Sequence, residues 1–387
     1  MIFSRVPWPL DKGDKLRAYH QARELAKSNE VFLCCLSDRK PNADALTELN
    51  KIVQHVEIIP LYKVNIAFRL FTALFSSKPF QVHYFYQNQA RKKIDQLISD
   101  FKPDHLYCQM IRTSEYIKNY LHHKKTIDYM DALSKGYQRR ITGSSGIMKF
   151  FIKAECQRLA GYEHLIFDYF DYHTIISNQD KGFIYHSESK RIAVIPNGID
   201  KDYFSEISCI PEYDLVFTGN MSYPPNIEAA LTLIYKILPE IRKTLPETRL
   251  LIAGTNPAAS IIKAASENVV ISGWIPDIRS AYSSAKVFVA PMWLGSGLQN
   301  KLLEAMSMGL PCVTSDLANN ALKASSGTHI LIGNTNSEIA QACVRLLKDS
   351  ELQNTIASRG KEYVQSTFSW EGSINELNQL WNNKPSL

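Results

Sequence analysis

One stretch near the carboxyl terminus decides the fold: Val289-Ala-Pro-Met-Trp-Leu-Gly-Ser-Gly-Leu-Gln-Asn-Lys-Leu-Leu-Glu-Ala-Met-Ser-Met-Gly-Leu-Pro-Cys-Val-Thr-Ser315. An apolar strand leads into the small-residue loop Gly295-Ser296-Gly297, and a helix is predicted from there to about Met308. Gly309 and Pro311 are typical of residues just past a helix end. This order of elements predicts an α/β unit whose helix N-terminus can receive a phosphate group.

Strand-like and helical segments alternate on the amino-terminal side of this stretch and beyond it. A first series of strands runs from Val31–Leu36 to Ile192–Ile195, and a second from Asp214–Thr218 to His329–Ile332. Such alternation predicts parallel sheets with helices on both faces. Two series predict two doubly wound, Rossmann-like domains, which meet near Pro196-Asn197-Gly198 because Asn-Gly and proline mark loops. Ligands are then expected at the carboxyl ends of the strands and in a cleft between the facing domains.

Composition is that of a globular protein of two domains. The 387 residues are 45% hydrophobic and 21% charged. No apolar stretch of about 18 residues and no secretory signal pattern is present, so neither a spanning helix nor export is expected. The seven cysteines form no C-x-x-C pair, which predicts reduced thiols in a cytoplasmic protein.

Positive charge is concentrated in the first half of the chain. Residues 1–190 hold 28 Lys and Arg against 20 Asp and Glu, whereas residues 191–387 hold 16 against 18. A basic half favours an anionic substrate, a membrane surface or nucleic acid, but no zinc-finger or RNA-recognition signature supports nucleic acid. A basic pI without function is the alternative. The apolar segment Ile66–Phe75 predicts either a core helix or a helix that docks on a bilayer.

Lys301 and Glu304 are the candidate functional residues of the predicted helix. They are three residues apart, so both side chains project from one face. A cation beside the glycine loop suits a diphosphate, and a carboxylate one turn deeper can accept hydrogen bonds from two ribose hydroxyls. The alternative is an ordinary amphipathic helix with a surface Lys–Glu pair.

This stretch resembles the sugar-donor motif of family 4 glycosyltransferases, which have the GT-B fold. The match to their "EAM-x-x-G-x-P-V" sequence runs from Glu304 to Val313, whereas Ser296 stands where many relatives have a first glutamate. The form with Gly297 and Gln299-Asn300-Lys301 is similar to a subgroup associated with bacterial exopolysaccharide assembly. Further segments of both halves agree with that subgroup, so the resemblance covers nearly the whole chain.

The resemblance implies a domain plan and a set of residues that bind the sugar donor. The plan is an acceptor-side domain at 1–190, a nucleotide-sugar domain at 191–370, and a last helix at 371–387 that packs back on the first domain. The donor-binding set is Gly13, Lys15, Arg17, Gly219, Asn220, Ile275, Ser296, Gly297, Gln299, Asn300 and Glu304. Ser222–Glu228 lacks the Arg and Lys of many relatives, so Lys301 is expected to neutralise the diphosphate with Lys12, Lys15 or Arg17.

Two amino-terminal features complete the candidate site. Gly13 lies among charged residues just before a helix, where glycine permits a close backbone approach; a surface turn is the alternative. Asp131 ends a strand and is preferred over Asp128 as the residue that accepts a proton from, or orients, a sugar hydroxyl. The alternative for Asp131 is a helix N-cap. The Asp200-Lys-Asp202 sequence and the ten histidines show no convincing metal-ligand spacing, so no metal or cofactor is expected.

The function expected from this resemblance is glycosyl transfer. The enzyme, of class EC 2.4, would move a sugar from a nucleotide-diphosphate donor to a glycan or polyprenyl-linked acceptor, with retention of configuration. We expect it in the cytoplasm, with peripheral contact to the inner face of the membrane through the first domain. A nucleotide-sugar epimerase of the same fold and a non-catalytic partner subunit remain as alternatives.

Overall fold

The computed structural model of the chain describes residues 1–142, 145–205, 207, 209–294 and 297–382. It divides into two compact units. The first unit comprises Met1–Pro196 and the segment from Trp370 onward, and the second comprises Asn197–Ser369. The chain therefore changes units inside the Pro196-Asn197-Gly198 loop, six residues after the predicted bound of 190, and again one residue before the predicted helix start at 371.

Each unit is built on one sheet whose neighbouring strands are all parallel. The strands of the first unit are β1 (Ile2–Phe3), β2 (Phe32–Ser37), β3 (His55–Pro60), β4 (His105–Gln109), β5 (Lys124–Asp128), β6 (Tyr172–Ile175) and β7 (Ala193–Val194). Those of the second unit are β8 (Tyr213–Thr218), β9 (Leu250–Ala253), β10 (Val269–Gly273), β11 (Ala285–Ala290), β12 (Cys312–Thr314) and β13 (Leu331–Ile332).

Helices connect successive strands, as parallel pairing requires. They are α1 (Gly13–Leu25), α2 (Ala45–Asn50), α3 (Lys63–Ala73), α4 (Phe80–Phe85), α5 (Asn88–Phe101), α6 (Leu133–Thr142), α7 (Gly146–Phe167), α8 (Asn178–Lys181), α9 (Pro224–Thr232), α10 (Leu238–Arg242), α11 (Ala259–Ile262), α12 (Ile278–Ser283), α13 (Asn300–Ser307), α14 (Asp316–Leu322), α15 (Asn336–Lys348), α16 (Ser350–Thr367) and α17 (Trp370–Asn382). A π-helical turn at Leu233–Ile237 joins α9 to α10, and a 3₁₀ helix covers Ile111–Tyr116.

The order of strands places one switch point in each sheet. The first sheet runs β3-β2-β1-β4-β5-β6-β7, and the second runs β10-β9-β8-β11-β12-β13. The direction of winding reverses between β1 and β4 in the first unit, and between β8 and β11 in the second. In open parallel sheets, ligands bind at this point, outside the carboxyl ends of the strands.

The cores follow from the period of two along each strand. In β2, Leu33 and Cys35 pack into the cluster that contains α1 and α17, whereas Cys34 and Leu36 face the cluster beneath α5 and α7. In the second unit, the last four residues of β8 and of β11 and all four of β9 are buried, because helices cover both faces of a parallel sheet. Apolar residues pack on both faces of each sheet, and this packing holds the strand ends that carry the candidate residues in place.

Candidate functional site

The candidate site of the second unit lies at the switch point of its sheet. Gly219 and Asn220 directly follow β8, and the loop after neighbouring β11 leads into α13. Helix α13 carries Lys301 and Glu304. The fold therefore brings together the glycine, the cation and the carboxylate that the sequence singled out.

Gly219 provides the space beside the cation. Its φ of +153° is one that side chains rarely allow, and a Cβ there would lie 2.7 Å from Asn226 Nδ2 and 3.2 Å from Lys301 Nζ. Gly254, which follows β9, is equally constrained because its Cβ would lie 1.8 Å from the carbonyl oxygen of Gly219. Glycine at both positions lets the backbone approach closely at this edge of the sheet.

Lys301 is held in place but has no ion pair within the described residues. Its ammonium donates to Asn226 Oδ1 at 2.5 Å and lies 4.6 Å from the centre of the Phe217 ring. The Asn226 amide is itself oriented, because its Nδ2 donates to the carbonyl of Asn220 at 2.9 Å. Burial lowers the pKa of Lys301 to about 7, against a smaller raising effect of Glu304. A bound anion would stabilise the charged form of this side chain.

Glu304 is the end of a hydrogen-bonded chain that starts in the sheet. The Tyr282 hydroxyl donates to Glu304 Oε2 at 2.7 Å, and Thr218 Oγ1 lies 2.9 Å from the same hydroxyl. Burial raises the pKa of Glu304, while Tyr282 and Lys301 act in the opposite direction. This arrangement fixes one carboxylate oxygen, and no hydrogen bond from a described residue engages Oε1.

The start of α13 differs from the prediction. A helix was expected from near Gly297, but α13 begins at Asn300, with Gln299 as its N-cap. Gly297 has φ +76°, in the left-handed region, and therefore cannot belong to a right-handed helix. Asn300 Oδ1 accepts a hydrogen bond from Asn197 Nδ2 at 3.2 Å, which ties the helix start to the first residues of the unit. The predicted Ser296 lies outside the described residues.

Two other predicted donor-binding residues are placed in loops at strand ends. Asn220 Oδ1 accepts from the backbone N–H and the hydroxyl of Ser222, at 3.1 and 2.8 Å, so its side chain closes a turn. Ile275 is half-buried and packs on the core of the second unit, next to exposed Trp274. Their assignment to the sugar donor stays a prediction.

The prediction for Arg17 requires a correction. Arg17 is completely buried, and its Nε donates to buried Asp128 Oδ2 at 2.6 Å. Its Nη1 donates to the carbonyl of Ile195 at 3.0 Å, and the Tyr107 hydroxyl donates to the same Asp128 oxygen at 2.8 Å. Breaking such a buried pair leaves an uncompensated charge in the interior. Arg17 is therefore a structural residue that joins α1 to β5, rather than a cation that meets a ligand.

The remaining amino-terminal candidates lie at the surface of the first unit. Gly13 is the exposed first residue of α1, and Lys15 pairs with Asp11 at 2.8 Å. Asp131 is also exposed and lies between the end of β5 and the start of α6. In the first turn of α6, the N–H of Ser134 donates to Glu163 Oε1 at 3.1 Å. Asp128 is buried against Arg17, and the catalytic role of Asp131 stays a prediction.

No metal-binding cluster of His, Cys, Asp and Glu occurs within the part of the chain that the structure describes. Asp200 Oδ1 accepts from the backbone N–H of Tyr203 at 3.2 Å, which assigns the Asp200-Lys-Asp202 sequence to a turn. All seven cysteines are free thiols. Among the described helices, none is both long and apolar enough to cross a bilayer.

Comparison with known proteins places the second unit in a family. Residues 212–349 match the family model described as "Glycosyl transferases group 1". The phosphatidyl-myo-inositol mannosyltransferase of Mycobacterium leprae is 25% identical over 199 residues, 48% of this chain and 52% of that protein. The UDP-Gal:alpha-D-GlcNAc-diphosphoundecaprenol alpha-1,3-galactosyltransferase of Escherichia coli is 25% identical over 234 residues, 53% of this chain and 58% of that protein. The matches thus span about half the length of these curated relatives.

Solved structures extend the comparison to the whole fold. The structure of Anabaena Alr3699/HepE in complex with UDP and glucose aligns with a TM-score of 0.68 at 12% identity, over 99% of this chain and 98% of that one. Together with the two parallel sheets, this likeness confirms the predicted GT-B fold. The match of residues 212–349 agrees with the predicted family for this part of the chain.

Proposed function

We propose that this chain is a group 1 glycosyltransferase and that it transfers a sugar from a nucleotide-diphosphate donor to a glycan or lipid-linked glycan acceptor. The observation that carries the proposal is the arrangement of Gly219, Lys301 and Glu304 at the switch point of the second sheet. The names of the relatives support it, because they describe a mannosyltransferase and a galactosyltransferase acting on a diphosphoundecaprenol-linked sugar. The structural neighbour that holds UDP and glucose agrees with a nucleotide-sugar donor.

Lys301 would neutralise the diphosphate as it leaves. Negative charge on the leaving group grows as the glycosidic bond breaks, and a preorganised cation in a partly buried site stabilises that charge most in the transition state. The space beside Gly219 would let phosphate oxygens approach the ammonium. Asn226 and Phe217 hold the side chain before the ligand arrives, so little reorganisation is needed.

Glu304 would bind the ribose of the donor. Its Oε2 is fixed by Tyr282, and Oε1 is the atom left to accept from a sugar hydroxyl. The family resemblance implies further residues of the same unit that would complete the nucleotide site: Asn220, Ile275, Gly297, Gln299 and Asn300. Gly13 and Lys15 of the first unit stay predicted donor-binding residues. Asp131 is our candidate for orienting or deprotonating the acceptor hydroxyl, and we expect retention of configuration and no need for a metal ion.

We also propose that the first unit makes peripheral contact with the cytoplasmic membrane. Of the segment Ile66–Phe75, Ile66 and Ala73 are buried, but Phe71 and Phe75 are 60% and 83% exposed. Exposed phenylalanines flanked by basic residues are typical of helices that lie in a membrane interface. The excess of 28 Lys and Arg over 20 Asp and Glu in residues 1–190 would add attraction to anionic lipids.

One experiment separates the proposed activity from its alternatives. The purified chain is incubated with labelled UDP-, GDP- and dTDP-sugars, with and without polyprenyl-diphosphate-linked acceptors. Label that moves to the acceptor supports a transferase. A changed sugar on an intact nucleotide, without acceptor, would support the epimerase, and nucleotide binding without turnover would support the non-catalytic subunit.

A further inference from the structure

A cavity of about 290 Å³ opens in the second unit beside helices α9 and α15. Three segments that follow strands surround it: α9 comes after β8, Trp293 after β11, and residues 334–336 after β13. The cavity therefore lies near the carboxyl edge of the sheet, where open parallel sheets bind their ligands. The π-helical turn Leu233–Ile237 contributes Lys236 to its lining, and such turns inside α-helices are frequent at functional sites.

Glu228 of α9 gives this cavity a hydrogen-bond acceptor that lacks a donor. Its Oε1 accepts from Thr232 Oγ1 at 3.3 Å, whereas buried Oε2 accepts from no residue that the structure describes. Burial raises the pKa of this carboxyl group, while Thr232 and Lys236 act in the opposite direction. Buried carboxylate oxygens are rarely left without a partner. A small rotation about the broad last torsion of the side chain would turn this oxygen toward a ligand.

The other polar groups of the lining also have hydrogen-bonding capacity left. Asn334 Oδ1 accepts from the backbone N–H of Asp316 at 3.1 Å, which leaves its Nδ2 to donate. The indole N–H of Trp293, the side-chain amide of Asn336 and the ammonium of Lys236 donate to none of the described residues. One acceptor and several donors thus surround a half-buried aromatic ring that packs on the core of the unit.

This set of groups matches the chemistry of a neutral sugar ring. Sugar hydroxyls both donate, as Glu228 requires, and accept, as the N–H groups and Lys236 require, and the apolar face of the ring can pack on Trp293. An ionised phosphate has no proton to donate and is repelled by the carboxylate. The volume lies just below the range of about 300–1,000 Å³ typical of small-molecule sites, so it suits one sugar ring rather than a nucleotide.

Helix α9 separates the cavity from the candidate donor site. Asn226, which accepts from Lys301, is two residues before Glu228 in this helix. Side chains two residues apart on a helix do not face each other. The cavity and the Lys301 ammonium therefore lie on different sides of α9.

We infer that this cavity is a second saccharide site, which binds one neutral sugar ring against Trp293 with a hydroxyl group donating to Glu228. The site goes beyond the proposed transfer reaction, because it binds a sugar apart from the nucleotide donor. It would hold a glycan through a sugar residue that does not react. The inference concerns binding alone, so it can fail or hold independently of the proposed function.

The test is saturation-transfer difference NMR of the full chain with the methyl α-glycosides of glucose, galactose, mannose and N-acetylglucosamine. We expect saturable transfer to at least one glycoside, undiminished when a nucleotide diphosphate or inorganic phosphate is added. Glu228→Gln should weaken this binding about fivefold or more, because a neutral acceptor replaces a charged one. Trp293→Leu should abolish it, because leucine keeps an apolar contact with the core but removes the ring. Glu240→Gln of α10 is the matched control, since Glu240 is paired with Lys243 at 2.7 Å.

Four results would overturn the inference. The first is the absence of transfer to every glycoside, as expected for a cavity that holds only water, and the second is unchanged affinity in both Glu228→Gln and Trp293→Leu. The third is displacement of the glycoside by the nucleotide, which would assign the sugar to the donor site and leave the proposed function intact. The fourth is displacement by phosphate, which would indicate an anion site. If a melting curve shows that Trp293→Leu does not fold, Glu228→Gln decides alone: weaker binding than in Glu240→Gln supports the inference, and equal binding overturns it.

Discussion

Binding of a nucleotide diphosphate should make Lys301 take up a proton. The free side chain has a pKa lowered to about 7 by burial, so at pH 8 about one molecule in ten carries the ammonium. A bound diphosphate favours the charged form and raises this pKa. If the pKa in the complex lies well above 8, each binding event takes up about 0.9 proton at pH 8.

The sign of the pH dependence follows from this shift. Because the bound state holds the extra proton, the affinity for the nucleotide is highest at pH values below the pKa of free Lys301, which is about 7. It falls as the pH rises through that value, by up to about tenfold per pH unit until the pKa of the complex is reached. At pH 8 the terminal phosphate of the nucleotide, with a second pKa of about 6, is already ionised and contributes little to the proton count.

The measurement is titration calorimetry at pH 8 in two buffers with different enthalpies of ionisation, such as Tris and HEPES. The difference between the apparent enthalpies gives the number of protons taken up. Lys301→Met should bind more weakly and abolish the buffer dependence. Lys286→Met should leave it unchanged, because Lys286 of the same unit is paired with Asp214 at 2.9 Å. A wild-type chain that binds nucleotide at pH 8 with equal enthalpy in both buffers would refute the reasoning.

Three further outcomes are expected. Glu304→Ala should weaken nucleotide binding by about 1.5–3 kcal/mol in calorimetry, because hydrogen bonds to a charged group are lost. The loss should vanish with a 2′,3′-dideoxynucleotide, which lacks the ribose hydroxyls. An equal loss with both nucleotides would contradict the assignment of Glu304 to the ribose. Turnover should persist in EDTA, and reversible loss of activity on chelation, restored by a divalent ion, would contradict metal independence. Replacing Phe71 and Phe75 with Ser should reduce co-sedimentation with anionic vesicles without lowering the melting temperature, because both side chains are exposed. Tyr235→Ser, which changes an exposed aromatic residue of the second unit, is the control, and a double variant that sediments like wild type would refute docking.

The fold could be predicted because its signal is repeated along the chain. Short strands with buried runs alternate with helical segments along the chain, and residues 215–218 of β8 and 287–290 of β11 stand out as such runs. The first and last residues of a helix are harder to predict from sequence, because they depend on the backbone angles of single residues. The start of α13 is an example. Gly297 adopts a left-handed φ, and the helix begins at Asn300.

The candidate site was predicted only where its residues belong to a local motif. Lys301 and Glu304 share one helix face, and Gly219 follows a strand, so spacing and resemblance identified all three. The sequence assigned no role to Tyr282 or to Asn226. Their contacts to Glu304 and Lys301 join residues 22 and 75 positions apart, and such pairs leave no pattern in the sequence.

Pairing distinguishes the candidate cation of the first unit from that of the second. Arg17 lies beside the predicted loop, but it is buried and paired with the carboxylate of Asp128, 111 positions away. Within the second unit, Lys286 is paired in the same manner and Lys301 is not. A cation that is already neutralised gains little from a ligand, because binding would first have to break the existing pair. The half-buried Lys301, which has no ion pair among the described residues and lies next to the switch point, is therefore the cation that we propose to meet the diphosphate.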